Sequence, residues 1–294
     1  MPISVPKLSA DRLLILEATY GAAVAAKRTK TLVGFAVLAA VVLASAYVGD
    51  VDLVKFFNHI DKFASYIGRI FVLDSGRMAI ADPAEWFWGL GKWTRLIGET
   101  ILIAYLGTLI GGIGAFALSF LAAANLSRAG WLSFAVRRYL EFCRTVPEIV
   151  FAMIFVVAFG LGPLPGVLAL SIHTTGALGK LFFEVIENAD MKAMEGMTST
   201  GAGWMMSVRF AILPQVLSNF VSYALLRFEI NVREGAIMGL VGAGGIGQDL
   251  VEAIRKFYYS DVSAILILII ITVSLIDFGT ERIRSRLITM ETMR

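Results

Sequence analysis

The stretch Val262-Ser-Ala-Ile-Leu-Ile-Leu-Ile-Ile-Ile-Thr-Val-Ser-Leu-Ile-Asp-Phe278 is the most apolar run of the chain. A helix needs about 20 mostly apolar residues to cross a bilayer, and this run comes close to that length. Five further apolar runs precede it, at residues 31–48, 96–121, 147–161, 166–187 and 215–238. The pattern predicts an all-α fold, a polytopic membrane helical bundle of about six transmembrane helices.

The composition favours the same fold class. Apolar residues make up 57% of the 294 residues and charged residues 17%, whereas soluble domains have about 45–50% and about 25%. The net charge of +3 fits the basic cytoplasmic loops of a membrane protein, so no nucleic acid partner is expected. One cysteine, Cys143, and two histidines, His59 and His173, exclude an internal disulfide, a cysteine cluster and a histidine-rich metal site.

The distribution of Lys and Arg predicts the orientation of the spans. Basic residues gather in the N-terminal segment, between spans two and three, between spans four and five, and in the C-terminal tail. With six spans these segments share one side, which the positive-inside rule makes cytoplasmic. We expect a cytoplasmic N-terminal segment (1–30), a first span with an extracytoplasmic loop (31–95), a core (96–286) that includes the loop 188–214, and a cytoplasmic tail (287–294).

Three tryptophans, Trp86, Trp88 and Trp93, lie in the segment 83–93 of the first extracytoplasmic loop. Tryptophan gathers at the boundary between membrane and water, which favours an interfacial segment. A small packing cluster outside the membrane explains the three residues equally well.

The stretch Gly242-Ala-Gly-Gly-Ile-Gly247 matches G-x-G-x-x-G, the pattern of dinucleotide-binding sites. That motif works only between a strand and a helix of a parallel α/β sheet. Here it stands between two membrane spans, with too little chain left to complete such a sheet. We interpret it instead as a glycine-rich break at which the backbone bends and packs tightly.

The loop after span four contains Glu195-Gly-Met-Thr-Ser-Thr-Gly201, then nine residues, then Ala211-Ile-Leu-Pro214. It resembles the coupling loop of ATP-binding-cassette importer permeases: E-A-A, three residues, G, nine residues, I-x-L-P. In that family a short helix of the loop docks on the ATPase. An ordinary amphipathic cytoplasmic loop is the alternative. The resemblance assigns ATPase coupling to Glu195, Gly196, Met197, Gly201, Ala202, Leu213 and Pro214.

Further segments resemble the phosphonate importer permeases within that family. They are Ile172-His-Thr-Thr-Gly-Ala-Leu-Gly-Lys-Leu-Phe182, Arg227-Phe-Glu-Ile-Asn-Val-Arg233 and the glycine-rich stretch. The resemblance implies a permease subunit in a bacterial inner membrane. Its expected partners are two ATPase subunits, a second permease copy, an extracytoplasmic binding protein and the lipid bilayer. The expected substrate is a phosphonate, phosphite or phosphate anion.

No G-x-x-x-x-G-K-[ST] motif and no catalytic cluster occur in the sequence. We therefore expect no enzymatic activity and no cofactor in this chain, with ATP and Mg held by the partner ATPase. An importer of another small solute, such as an amino acid, remains an alternative. A membrane enzyme acting on lipid phosphates would need a catalytic cluster. A channel would not need a coupling loop.

The fifth span carries charged residues on two faces. At 100° per residue, Tyr223, Arg227, Asn231 and Glu234 share one face, while Glu229 and Arg233 form an i,i+4 pair on the other. Glu234, seven positions from Arg227, is expected to be too far for direct contact. Charges in a span usually face a cavity or a partner, although a network that only joins helices is an alternative. Candidate path or gate residues are His173, Thr174, Thr175, Tyr223, Arg227, Glu229, Asn231, Arg233, Glu234, Gly242, Gly244, Gly245 and Gly247.

Overall fold

The computed structural model describes residues 10–73, 75–127 and 130–292. Within these ranges all regular elements are helices, and no β-strand is present. Five helices are long and apolar enough to cross a membrane, and one sharply bent helix pair can supply a sixth crossing. The predicted all-α, polytopic helical bundle is therefore confirmed.

The chain divides into two units, one ending at Ser65 and one beginning at Tyr66. The first unit contains α1 (Ala10–Val48). Its most apolar window has no residue buried by other protein, as expected for a helix that faces lipid. The helix begins well before the predicted span at 31–48, because the preceding segment is rich in alanine, the strongest helix former. Residues 1–9 of the predicted N-terminal segment lie outside the described residues.

Helix α2 (Leu53–Ile70) lies in a region that the sequence analysis treats as a polar loop. Its polar face carries Lys55, Lys62 and Arg69 at intervals of one heptad. An apolar face combined with a basic polar face is typical of helices that lie in the membrane interface. The large side chains of the apolar face are exposed in this chain: Phe56, Phe57, Ile60, Phe63 and Ile67.

The tryptophan segment includes α3 (Pro83–Trp86) and packs against α12 (Tyr259–Thr292). The indole Nε1 of Trp86 donates a hydrogen bond to Ser263 Oγ at 2.9 Å, and that of Trp88 donates to Asp261 Oδ1 at 2.9 Å. Trp86 and Trp93 are buried, whereas Trp88 is exposed. Two of the three tryptophans thus form a packing cluster, and the third has the exposure of an interfacial residue.

The core of the second unit is built on α4 (Leu90–Ala122), α7 (Pro163–Glu187) and α10 (Leu213–Met238), with α12 beside α10. Helices α4 and α7 lie very close together. A Cβ atom on Gly111 would come within 2.7 Å of both the Ser171 carbonyl oxygen and the Thr174 Cβ. Small residues at such contacts let helix backbones approach in a membrane.

The third crossing is a broken helix. The prediction of one span at 147–161 is wrong, because α6 (Glu148–Phe159) has only 12 residues, about 18 Å against a hydrocarbon core of about 30 Å. It follows α5 (Gly130–Thr145) at an angle of 84°. The break falls at Pro147, which lacks an amide hydrogen and disfavours a helical residue before it.

The bent pair runs along α7 from one end to the other. Arg137 of α5 forms an ion pair with Glu187, the last residue of α7. Helix α6 leads through Gly160 and Gly162 to Pro163, the first residue of α7. A re-entrant loop would return to its starting side, so this path indicates one broken crossing.

The remaining elements connect these helices. Helix α8 (Lys192–Ser199), α9 (Trp204–Ser207) and a π-helical turn (Val208–Ile212) lead into α10. A 3₁₀ turn (Gly239–Val241) and α11 (Ile246–Arg255) lead from α10 towards α12. Helix α12 continues past the predicted span end at Phe278, so most of the predicted tail 287–294 is helical, while residues 293–294 lie outside the described residues.

Candidate functional site

The loop 188–214 contains a short exposed helix with a defined end. Asp190 Oδ1 accepts a hydrogen bond from the Lys192 amide at 2.9 Å, which fixes the turn that leads into α8. At the other end the Gly201 amide bonds to the Thr198 carbonyl and the Ala202 amide to the Met197 carbonyl. This is a Schellman motif, and Gly201 takes the left-handed position with φ of 83°. Gly201 therefore stops the helix.

The loop is fastened to the membrane helices on both sides of α8. Gln215 donates to the Asp190 carbonyl at 3.1 Å and accepts from the Asp190 amide at 3.0 Å. Trp204 Nε1 donates to the Leu126 carbonyl at 3.2 Å. Pro214 lies in the first turn of α10, where its missing amide costs no hydrogen bond. A helix held in this way moves with the bundle instead of swinging freely.

The predicted coupling residues divide into exposed and anchoring positions. Glu195, Gly196 and Gly201 are exposed. Met197 and Ala202 are half-buried, and Leu213 packs partly against the large apolar core beside α10. The arrangement agrees with a short helix, a turn and the start of a membrane helix, as the resemblance implies.

A group of contacts beside this loop was not predicted. Glu187 Oε1 accepts from the Ala124 amide at 2.7 Å and also pairs with Arg137. Arg137 Nε donates to the Ala122 carbonyl at 2.8 Å, and its guanidinium lies over the Phe183 ring. These contacts lock the ends of α4 and α7 to α5. The only available signal in the sequence was that Glu187 ends an apolar run.

Arg227 and Glu234 form an ion pair within α10, which corrects the expectation that they lie too far apart. Arg227 Nη2 and Glu234 Oε2 are 2.9 Å apart, and only 12% and 19% of the two side chains are exposed. Seven residues rise about 10.5 Å along a helix, but both residues lie on the same face and both side chains are long. Each extends along the helix towards the other, so the pair spans two turns.

A contact between a carboxylate and a histidine lies next to this ion pair. Glu148, at the start of α6, approaches His173 of α7, with 3.5 Å between Oε2 and Nδ1. His173 also interacts electrostatically with Arg227, and Glu148 with Glu234. We call Glu148, His173, Arg227 and Glu234 the charged cluster; it joins α6, α7 and α10. Glu148 is the member that the sequence analysis missed, although a carboxylate beginning a wholly apolar helix was a usable signal.

The charges on the opposite face of α10 connect to α12. Arg233 pairs with Glu229, as predicted, and also lies 3.2 Å from Asp277 Oδ2 of α12. Arg233 is 46% exposed. The contact between Arg233 and Asp277 therefore ties α10 to α12 at the surface of the unit, away from the charged cluster.

Asn231 lies inside the helix packing. Its Nδ2 donates to Thr108 Oγ1 at 2.8 Å and to Thr174 Oγ1 at 2.9 Å, and all three residues are buried. Thr175 Oγ1 donates to the Ser171 carbonyl at 2.8 Å. Tyr223 is half-buried against the apolar core. In this conformation Asn231 and Thr174 join α4, α7 and α10, while their predicted role in a path stays a prediction.

The glycine-rich stretch is a tight break between helices. Gly242, Gly244 and Gly245 have φ of 80°, 87° and 78°, values that strongly favour glycine. Gly242 ends the α10 segment through a second Schellman motif, with the Ala243 amide bonded to the Met238 carbonyl. Helix precedes the break, and no strand occurs in the described residues, so the break lacks the strand–turn–helix setting of a dinucleotide site.

Side chains of α4 hold the far end of this break. Glu99 Oε1 accepts from the Gly245 amide at 3.2 Å, and Thr100 Oγ1 accepts from the Ile246 amide at 2.9 Å. A Cβ atom on Gly247 would overlap the Ala236 carbonyl oxygen. The four predicted glycines are thus brought together where α4, α7 and α10 meet. Over the described part of the chain, no three His, Cys, Asp or Glu side chains gather as metal ligands would.

Comparison with known proteins agrees with these features. The model of the family described as "binding-protein-dependent transport system inner membrane component" matches residues 115–288. A phosphite transport system permease protein of Stutzerimonas stutzeri is 36% identical over 241 residues, 82% of this chain and 83% of that protein. An Escherichia coli K12 protein, named for a cryptic phosphonate transport system permease, is 48% identical over 121 residues, 41% of this chain and 99% of that protein.

A solved structure of the MetNI methionine ABC transporter in an inward-facing conformation has the same fold. It matches with a TM-score of 0.57 at 21% identity and covers 66% of this chain and 95% of that chain. The predicted family is confirmed, and the chain is an inner-membrane, multi-pass protein. It belongs to the binding-protein-dependent transport system inner membrane components, the non-catalytic permease subunits of ATP-binding-cassette importers, in which a separate subunit hydrolyses ATP.

Proposed function

We propose that this permease moves phosphonates or the related phosphorus oxyanions phosphite and phosphate. The observation that carries the proposal is the charged cluster, which places the guanidinium of Arg227 inside an apolar helix bundle. Guanidinium groups bind phosphorus oxyanions through paired hydrogen bonds, and an intramembrane charge marks a substrate path by default. The names of the two sequence relatives support the same substrate class.

In the proposed complex, two copies of this chain form the path and two ATPase subunits bind ATP and Mg on the cytoplasmic side. An extracytoplasmic binding protein delivers the anion. Both termini and the loop 188–214 are cytoplasmic, and α8 docks on the ATPase. Closure of the ATPase on ATP moves α8 and opens the path outward, and hydrolysis resets it. Because Gln215 and Trp204 fasten the loop to the bundle, movement at α8 is passed to α10.

The path follows the face of α10 that carries Tyr223 and Arg227. The glycines at 242, 244, 245 and 247 form the gate at the far end of α10. Their left-handed backbone permits a sharp change of direction, and Glu99 and Thr100 hold that direction in the conformation described. Asn231 and Thr174 set the spacing of the three helices around the path.

Uptake by the complete importer in liposomes tests this proposal. We expect import of phosphite and methylphosphonate, and no import of methionine. Arg227→Gln removes the charge, so uptake falls about tenfold or more while ATPase assembly persists, and Arg227→Lys restores part of it. Arg138→Gln is the control, because Arg138 pairs with Glu141 on α5, outside the cluster.

Two results would count against the proposal. Methionine uptake without phosphite or methylphosphonate uptake would favour the amino-acid importer, the second candidate. Full anion uptake by Arg227→Gln would remove Arg227 from the path.

A further inference from the structure

Arg227 is paired on one edge only. Its Nη2 bonds to Glu234 at 2.9 Å. Its Nε is buried and has no hydrogen-bond partner among the described residues. A guanidinium has five donors in a planar fork and often binds an oxyanion through two of them at once. The unused Nε therefore leaves Arg227 with capacity for a further acceptor.

We propose that Glu234 is a tethered anion that occupies Arg227 between transport events, and that an entering phosphorus oxyanion takes its place. The inference rests on the proposed function and assigns the exchange to this one pair. In the resting state Arg227 keeps a charged partner. During transport the substrate accepts from the Nε and Nη donors while the Glu234 carboxylate turns away.

The surroundings of Glu234 favour such an exchange. The Glu148 and Glu234 carboxylates repel each other electrostatically, and only Glu234 is paired with Arg227. An oxyanion entering beside Glu148 and a fixed Glu234 would meet two negative charges against Arg227. Departure of Glu234 removes one of these charges at the moment when the substrate supplies its own.

An exchange would keep Arg227 paired at every stage of transport and would also keep substrate binding weak enough for release. A buried charge without a partner is strongly unfavourable, so Arg227 needs an anion at every stage. Binding that is too tight would stop release, and a tethered competitor lowers the apparent affinity for substrate. Arg233 is not suited to such an exchange, because it pairs with Glu229 and also with Asp277, which gives it a second fixed acceptor.

The test is anion binding to the assembled permease–ATPase complex without the binding protein, measured by calorimetry with phosphite and with methylphosphonate. Glu234→Gln removes the tethered charge and nearly preserves the shape. We expect its Kd to fall about tenfold or more, with slower uptake because release becomes limiting. Glu184→Gln is the matched control, since Glu184 pairs with Lys180 on α7 outside the cluster, and its Kd should equal that of the wild type.

Glu234→Asp provides a second reading if the Gln variant fails to assemble. The shorter side chain keeps the charge but reaches less well across two turns, so the Kd should fall by a smaller factor. Wild-type binding and uptake of the anion combined with an unchanged or weaker affinity in the assembled variants would overturn the exchange and leave the proposed function intact. A wild-type complex that neither binds nor imports any phosphorus oxyanion would overturn both.

Discussion

Glycine performs two distinct jobs in this chain. Gly201 and Gly242 occupy the left-handed position of Schellman motifs and thereby end helices. Gly247 instead permits contact, because its Cα lies against the backbone of Ala236 and Gly239. The first job is required by backbone conformation and the second by space, so a substitution acts through a different cause at each site.

Gly247→Ala should destabilise the complex. The added Cβ would overlap the Ala236 carbonyl oxygen, a backbone atom that cannot rotate away, and overpacking of this kind costs about 1–3 kcal/mol. We expect a lower thermal unfolding midpoint in detergent and reduced uptake. Gly279→Ala on α12 is the control, since no atom lies within 4 Å of its added Cβ, and a helical Gly→Ala change is neutral or stabilising. Equal midpoints for the two variants would contradict this account of the break.

At the scale of elements, α8 stands apart because it is exposed but firmly held. Met191, which immediately precedes α8, and Met194 within it pack on the same apolar core as the start of α10. The face that carries Glu195 and Gly196 has no partner within the described part of the chain. An element with a fixed base and an open face suits a rigid docking helix.

Glu195→Arg should uncouple the importer without unfolding the permease. Glu195 is exposed, and its side chain makes no ion pair among the described residues, so a charge reversal leaves the fold intact and alters only the exposed face of α8. We expect normal expression and a clear fall in ATPase association or in transport-stimulated ATPase activity. Glu141→Arg on α5 is the comparison, as it reverses a charge outside the loop. Unchanged coupling in Glu195→Arg would exclude this loop as the transmission element.

The spans and the helix–turn–helix course of the loop 188–214 could be predicted because each depends on local sequence. Apolar runs of sufficient length identify α4, α7, α10 and α12, and the spacing from Glu195 to Pro214 identifies the loop. Helix α2 was missed although its apolar residues recur every three to four positions, because its mean polarity suggested a loop. The Arg227–Glu234 pair was missed because the prediction considered only the separation along the helix and not the length of the two side chains. The Glu148–His173 contact could not be predicted because it depends on packing between separate helices.

At the scale of the whole molecule, the orientation depends on how the α5–α6 pair is counted. The residues beside Glu187 and those beside Pro163 lie at opposite ends of α7, which has 25 residues, about 37 Å. A pair that connects these ends crosses the membrane once. Counted as one crossing, the bent pair brings the candidate spans to six, and the positive-inside rule then predicts that both termini are cytoplasmic.

Cysteine labelling decides between six crossings and five. Ser65 on α2 and Ser285 on α12 are exposed, and each is changed to cysteine in a Cys143→Ala background, which removes the only native thiol. Five crossings separate the two positions if the bent pair spans the bilayer, and four if it is re-entrant. An odd number places them on opposite sides, so a membrane-impermeant maleimide added to intact cells should label Ser65→Cys and spare Ser285→Cys. Permeabilised cells should label both and serve as the control, whereas labelling of both in intact cells would show that the pair returns to the side from which it entered.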